Sequence, residues 1–231
     1  MKVTSIDIFC RVIDNFGDIG VCYRLYKELS DLFPQRKLRL ILDRTEEFFA
    51  LCPDTSKILY SSYSDILRQG QEVETAEVII EAFACDIPEN YLQKAYQTSK
   101  LIINLEYFSA EDWTERFHLQ ESVLGRGTCR KFFFMPGISK KTGGILTKRY
   151  FPDLSLEEFG IHREDYELVG SIFSYEKDFS SLLESLQKTG KKICLCILGE
   201  KSQESLRKSL GNFTRYDKIK LKFLPFYSQE N

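Results

Sequence analysis

Val3-Thr4-Ser5-Ile6-Asp7-Ile8-Phe9-Cys10-Arg11-Val12-Ile13 runs directly into Asp14-Asn15-Phe16-Gly17-Asp18-Ile19-Gly20, and then into Val21, Cys22, Leu25, Leu29 and Leu32 at helical spacing. The first segment alternates and then turns apolar, as a buried strand does. The last is one face of an amphipathic helix that ends before Pro34. A strand, a short glycine-containing loop and a helix form the opening unit of a parallel α/β sheet. In such a sheet the loop lies beyond the carboxyl end of the strand, where ligands bind.

The pattern repeats outward from this unit. Strands are expected at 38–42, 78–83 and 100–105, with helical stretches at 45–51, 64–69 and 89–98 between them. Strands alternating with helices predict a parallel sheet covered on both faces. From 105 to about 148 the alternation stops, and aromatics mix with glycines and polar residues, which points to functional or interfacial structure. It restarts with strands expected at 168–173, 192–198 and 219–226 and helices at 179–187 and 204–210. The expected fold is therefore α/β with two Rossmann-like doubly wound domains, 1–150 and 151–231. The second has only three strands, so it reads as unfinished, with an open edge and an uncovered face.

Bulk properties narrow the function. A formal net charge of −2 supplies no overall basic field for a phosphate backbone, so no nucleic-acid partner is expected. No apolar run is long enough to cross a membrane, and the N-terminus lacks a signal-peptide layout. The 7 cysteines include no Cys-x-x-Cys, and the 2 histidines are far from any cysteine pair. Reduced, mostly buried thiols in a cytoplasm and no metal site are the expectation.

The 14–20 loop carries two carboxylates and no Lys or Arg. Negative charge there repels a phosphate and suits a cation or a polar proton donor. The loop therefore reads as catalytic or acceptor-binding and not as a cofactor cradle. Each aspartate also has a simpler reading: Asp18 as the N-cap of the following helix, Asp14 as the close of an Asx-turn.

Four ordered blocks resemble the elongation factor P arginine rhamnosyltransferases, the EarP family. They are 7–21; Ile80-Glu81-Ala82-Phe83-Ala84-Cys85-Asp86-Ile87-Pro88-Glu89; Asn104-Leu105-Glu106-Tyr107-Phe108-Ser109-Ala110-Glu111-Asp112-Trp113; and Phe132-Phe133-Phe134-Met135-Pro136-Gly137 with Thr142-Gly143-Gly144. The resemblance implies a GT-B fold and transfer of L-rhamnose, with inversion, from dTDP-β-L-rhamnose to an arginine of elongation factor P, with no metal and no cofactor beyond the donor. The N-terminal domain would bind the acceptor protein and the C-terminal one the nucleotide sugar. It implies Asp18 as the general base and Asp14 as the group orienting the guanidinium, with Asn15, Tyr107 and Glu111 on the acceptor side. Phe173 and Tyr175 would stack on the base, and Gln229 would lie near the base or ribose. For Tyr107 and Glu111 packing or surface placement is the other reading, for Phe173 and Tyr175 core plus one exposed ring, and for Gln229 a dispensable tail. The family's Arg-Gly-Glu-Asp-Ser stretch, which holds the diphosphate, is absent from this chain. A truncated, non-catalytic module that docks elongation factor P is accordingly the alternative to an enzyme.

Overall fold

The computed structural model describes residues 3–13, 16–52, 54–146, 155–211 and 216–224. The chain divides into two compact units, Met1–Tyr150 and Phe151–Asn231.

The first unit is built on six parallel strands, β1 Ser5–Cys10, β2 Lys37–Leu42, β3 Tyr60–Ser62, β4 Val78–Ala82, β5 Leu101–Leu105 and β6 Arg130–Phe134. They lie in the order β3-β2-β1-β4-β5-β6, the Rossmann order with its reversal between β1 and β4. Alternate residues of β1 feed two cores. Ile6, Ile8 and Cys10 join a cluster with Ile19, Cys22 and Tyr23 of helix α1 (Phe16–Leu32). Phe9 joins the opposite cluster with Tyr91 and Ala95 of helix α4 (Glu89–Thr98). Burial on both faces explains why these strands are apolar almost throughout. Two short helices, α2 Glu46–Leu51 and α3 Tyr63–Arg68, complete this part, and α5 Trp113–Phe117 follows β5.

The second core contains a buried charged group. Asp7 and Arg39 face each other across β1 and β2, paired at 2.6 Å, and the Tyr91 hydroxyl donates to the same carboxylate at 2.6 Å. Burial lowers the Arg39 guanidinium, but its bond to Asp7 together with the charges of Asp7, Tyr91 and Glu74 more than reverses that and holds it above its ordinary range.

Three expectations are corrected. The loop expected at 14–20 is shorter, because α1 begins at Phe16 and takes in Gly17, Asp18, Ile19 and Gly20. Burial of Ile19, Cys22 and Tyr23 outweighs the low helix propensity of two glycines and an aspartate. The irregular stretch after 105 contains α5 and the sheet's edge strand β6, and β3 forms the other edge. The face of the second sheet expected to be bare is covered.

That second sheet is β7 Leu168–Ile172, β8 Ile193–Ile197 and β9 Ile219–Phe223, parallel and in chain order. Helices α6 Ser180–Lys188 and α7 Glu200–Ser209 bring Leu183 and Leu206 into one core with Ile193 and Ile197. On the other face Ile161, with Phe159 and Tyr166, packs on Cys194 and Cys196. The 155–166 segment, wound into two 3-10 turns, thus supplies the missing cover.

Candidate active site

The carboxyl ends of β1, β4, β5 and β6 converge on a cavity of about 620 Å³ within the first unit. Its walls are Gly17, Asp18 and Val21 from the start of α1, Phe83 after β4, and Tyr107 and Phe108 after β5. Phe134, Pro136 and Gly143–Leu146 close the far side. This is the ligand position expected at the switch point of a Rossmann sheet.

Asp18 lies in the first turn of α1 and is 1% exposed. One carboxylate oxygen accepts the backbone N–H of Ile13 at 2.9 Å. The other accepts the Tyr107 hydroxyl at 2.9 Å. Asp18 is therefore not the N-cap. It reaches back across the helix entry, as a capping-box acid does from the third helical position. The same bonds hold its carboxylate at the cavity wall.

Tyr107 is 50% exposed, yet its ring is held from below. It stacks on Phe83 with centroids 4.2 Å apart and planes 13° from parallel. Phe83 and Ala84 both have positive φ, 58° and 50°, and the Cys85 N–H donates to the Ala82 carbonyl at 3.1 Å. That is the φ signature of a type I′ turn without glycine at either central position. Left-handed backbone costs about 1–2 kcal/mol for each such residue. Non-glycine strain of this kind concentrates at functional sites.

Two charged side chains unmarked in the sequence also line the cavity. Glu106, held by the Asn104 amide at 2.5 Å, follows β5 directly. Arg24, one turn and a half along α1 from Asp18, donates to the Leu146 carbonyl at 3.3 Å, and its Nε is buried without a partner. The signal that could have found Glu106 and Phe83 is position: each stands just beyond the last residue of a central strand. On the far wall Gly143 is required by contact, since a Cβ there would fall within the Phe134 ring. Below the cavity Cys10 and Cys85 are not poised as nucleophiles. A hydrogen bond shared with Cys22, then burial, push Cys10 far above the ordinary thiol range, and burial pushes Cys85 up to about 12.

The structure brings Asp18 and Tyr107 together and leaves Glu111 apart, on the exposed approach to α5 and outside the cavity lining. Asp14, Asn15 and Gln229 lie outside the described residues. In the second unit Phe173 and Tyr175 follow β7 and are 74% and 62% exposed. Ser174 between them is clamped from both sides: its N–H donates to Ser202 Oγ at 2.6 Å, and that hydroxyl donates back to the Ser174 carbonyl at 2.9 Å. The Phe173 ring lies over Gly199, where a Cβ would approach to 2.8 Å. Among the described residues no cluster of His, Cys, Asp and Glu could hold a metal ion, and no helix is long and apolar enough to cross a membrane.

Residues 6–231 match the family model described as Elongation-Factor P (EF-P) rhamnosyltransferase EarP. The chain belongs to the EarP family. Proteins named protein-arginine rhamnosyltransferase are similar to it. The one from Pseudomonas aeruginosa is 34% identical over 75% of this chain and 51% of its own length. That from Neisseria meningitidis serogroup B is 33% identical over 87% and 56%. That from Pseudomonas putida is 40% identical over 63% and 40%. The chain thus spans about half the length of the EarP-family relatives it matches. A solved structure of the lipopolysaccharide outer core galactosyltransferase WaaB, in its apo form, aligns with a TM-score of 0.44 at 14% identity, covering 94% of this chain and 67% of that one.

Proposed function

We propose that this chain is the acceptor half, with part of the donor half, of a GT-B glycosyltransferase that moves L-rhamnose with inversion from dTDP-β-L-rhamnose to an arginine side chain of elongation factor P. The observation that carries the reading is the Asp18 carboxylate, buried at the wall of an otherwise mainly apolar cavity at the carboxyl ends of the strands. A guanidinium stays protonated in water and is a poor nucleophile. A carboxylate in a low-dielectric wall binds it through charge-assisted hydrogen bonds and turns it toward the sugar. As a guanidinium nitrogen bonds to the anomeric carbon, Asp18 takes its proton, and the bond from that carbon to the diphosphate oxygen breaks, releasing dTDP. Attack opposite the leaving group inverts the anomeric centre.

Asp14 and Asn15 are assigned to orienting the guanidinium on the strength of the family resemblance, and Tyr107 to holding Asp18 while covering the acceptor. Glu111 is assigned to the acceptor protein's surface, which its exposed position suits. Phe173 and Tyr175 are assigned to the thymine, an assignment supported by their exposure on a clamped loop, and Gln229 to the base or ribose. No metal or other cofactor enters the proposal, and a cytoplasmic location accords with seven free cysteines.

A second reading is favoured by one fact, that the chain spans about half of its relatives. In it the chain docks elongation factor P without transferring sugar. Incubation with elongation factor P and dTDP-β-L-rhamnose, followed by intact-mass measurement of the acceptor, separates the two. One deoxyhexosyl increment is the expected result. Measurable binding with no increment selects the docking module, and neither binding nor increment overturns both.

A further inference from the structure

We infer that Phe83 is a positioning residue, its ring fixed by the left-handed 83–84 turn so that it sets Tyr107 and, through it, the Asp18 carboxylate. The inference rests on the reading of Asp18 as the base. A tyrosine that is 50% exposed has little packing to choose its rotamer. Tyr107 nevertheless sits at 4.2 Å from Phe83 in near-parallel stacking and donates to Asp18 at 2.9 Å. The stack gives that ring a broad contact surface, and it comes from a residue whose backbone is in an unfavourable region, φ 58°. The Phe83 N–H is also tied to the Leu105 carbonyl at 2.6 Å, two residues before Tyr107. Two neighbouring strand ends, β4 and β5, are thereby locked in register just where their aromatic residues meet.

Phe83 also packs, partly buried, against the core that holds Ala82 and Leu105, but glycine at 83 would be the unstrained solution for the turn. What glycine lacks is the ring. The strain is thus linked to a contact whose far end is the carboxylate, with Tyr107 as the intermediate.

The test uses Phe83→Gly, which favours the turn while deleting the ring, and Phe83→Tyr, which keeps the ring. The first arm needs no acceptor. With tyrosine ring carbons labelled with carbon-13, and Tyr107 assigned through Tyr107→Phe, the Tyr107 signal of the unaltered chain should report a restrained, hydrogen-bonded ring. In Phe83→Gly it should shift to the solvent-exposed position with fast ring flipping, and in Phe83→Tyr it should stay. The second arm measures transfer to elongation factor P. Phe83→Gly should lower kcat by about 10- to 100-fold through misplacement of the base, with KM for dTDP-β-L-rhamnose unchanged. Phe83→Tyr should recover the rate. An unshifted Tyr107 signal in Phe83→Gly overturns the inference whatever the transfer assay reads. A shifted signal with unaltered kcat overturns the link to Asp18. If the unaltered chain transfers nothing, the functional reading fails, and the first arm alone still decides whether Phe83 sets Tyr107.

Discussion

Asp18 has two tasks that are usually given to different residues. It stabilises the entry of α1 by accepting the Ile13 N–H, and it presents a carboxylate to the cavity. Asp18→Asn separates them. The amide oxygen can still accept one of the two hydrogen bonds, but it cannot take a proton. Transfer to elongation factor P should fall by about 10²–10⁴-fold, while acceptor binding persists. Stability should drop by about 1–2 kcal/mol for the weakened bonds and the lost negative charge at the helix N-terminus. A variant that keeps full activity, measured by the mass increment on the acceptor, removes Asp18 from the chemistry. At this scale the sequence was legible where charge was informative. An acidic segment without Lys or Arg at the end of the first strand marked Asp14 and Asp18 alike, and only the family resemblance told their roles apart. The partner of Asp18 was not legible from spacing, because the 89 residues that separate Asp18 from Tyr107 are closed only by the strand order. Phe83 carried only the signal of its place just beyond the end of β4. Left-handed backbone at a phenylalanine is contrary to local preference and becomes visible only with the Tyr107 ring above it.

Between β1 and β2 the Asp7–Arg39 pair, capped by Tyr91, tests how the sheet tolerates buried charge. Arg39→Met leaves the Asp7 carboxylate in the core without its cation, and urea unfolding should show a loss of about 3–5 kcal/mol. Asp7→Leu combined with Arg39→Met should lose less than Arg39→Met alone, since no uncompensated charge remains. Additive losses would mean that the pair is not coupled. A second element, the α5–β6 connection, links folding to pH through His118. Its Nδ1 accepts the Met135 N–H at 3.2 Å, its ring meets Phe134 edge-on at 5.1 Å, and burial holds it below its ordinary value of 6.5. The unfolded chain therefore binds more protons here, so this contribution is full above 6.5 and is lost as pH falls through the lowered folded value. The urea midpoint should decline as pH falls below about 6.5, and His118→Gln should flatten that decline. An equal decline in the variant would assign it to other groups. The central strands and long helices were readable because period and burial agree in them. Edge strands β3 and β6 were not: β3 has three residues, and β6 is only partly buried, with Arg130 and Lys131 directed to Glu121 and Glu81.

Two units with separate cores make the whole molecule accessible to one measurement. Apolar residues of the first unit gather in two clusters, those of the second in two others, and none of these clusters draws on both units. Cooperative unfolding follows the core, so each unit should open with its own free energy. The cysteines report on this without added labels. All seven are free and buried: Cys10, Cys22, Cys52, Cys85 and Cys129 in the first unit, Cys194 and Cys196 in the second. The hydrogen bond with Cys22 and then burial raise Cys10, and burial raises Cys85, Cys129, Cys194 and Cys196, above the ordinary thiol range, which suppresses the thiolate that reacts. A brief pulse of alkylating reagent in native buffer should leave the chain unmodified. Along a urea series, intact-mass spectra should then show a species carrying two or five adducts before the fully modified chain, whichever unit opens first supplying the intermediate. Arg39→Met should move the five-adduct transition to lower urea and leave the two-adduct transition in place, because the lost ion pair belongs to the first core alone. A single step from no adducts to seven, with no intermediate at any urea concentration and both signals shifted together by Arg39→Met, would show the units to be one cooperative body and would bind the stability of the Phe173 loop to that of the Asp18 cavity.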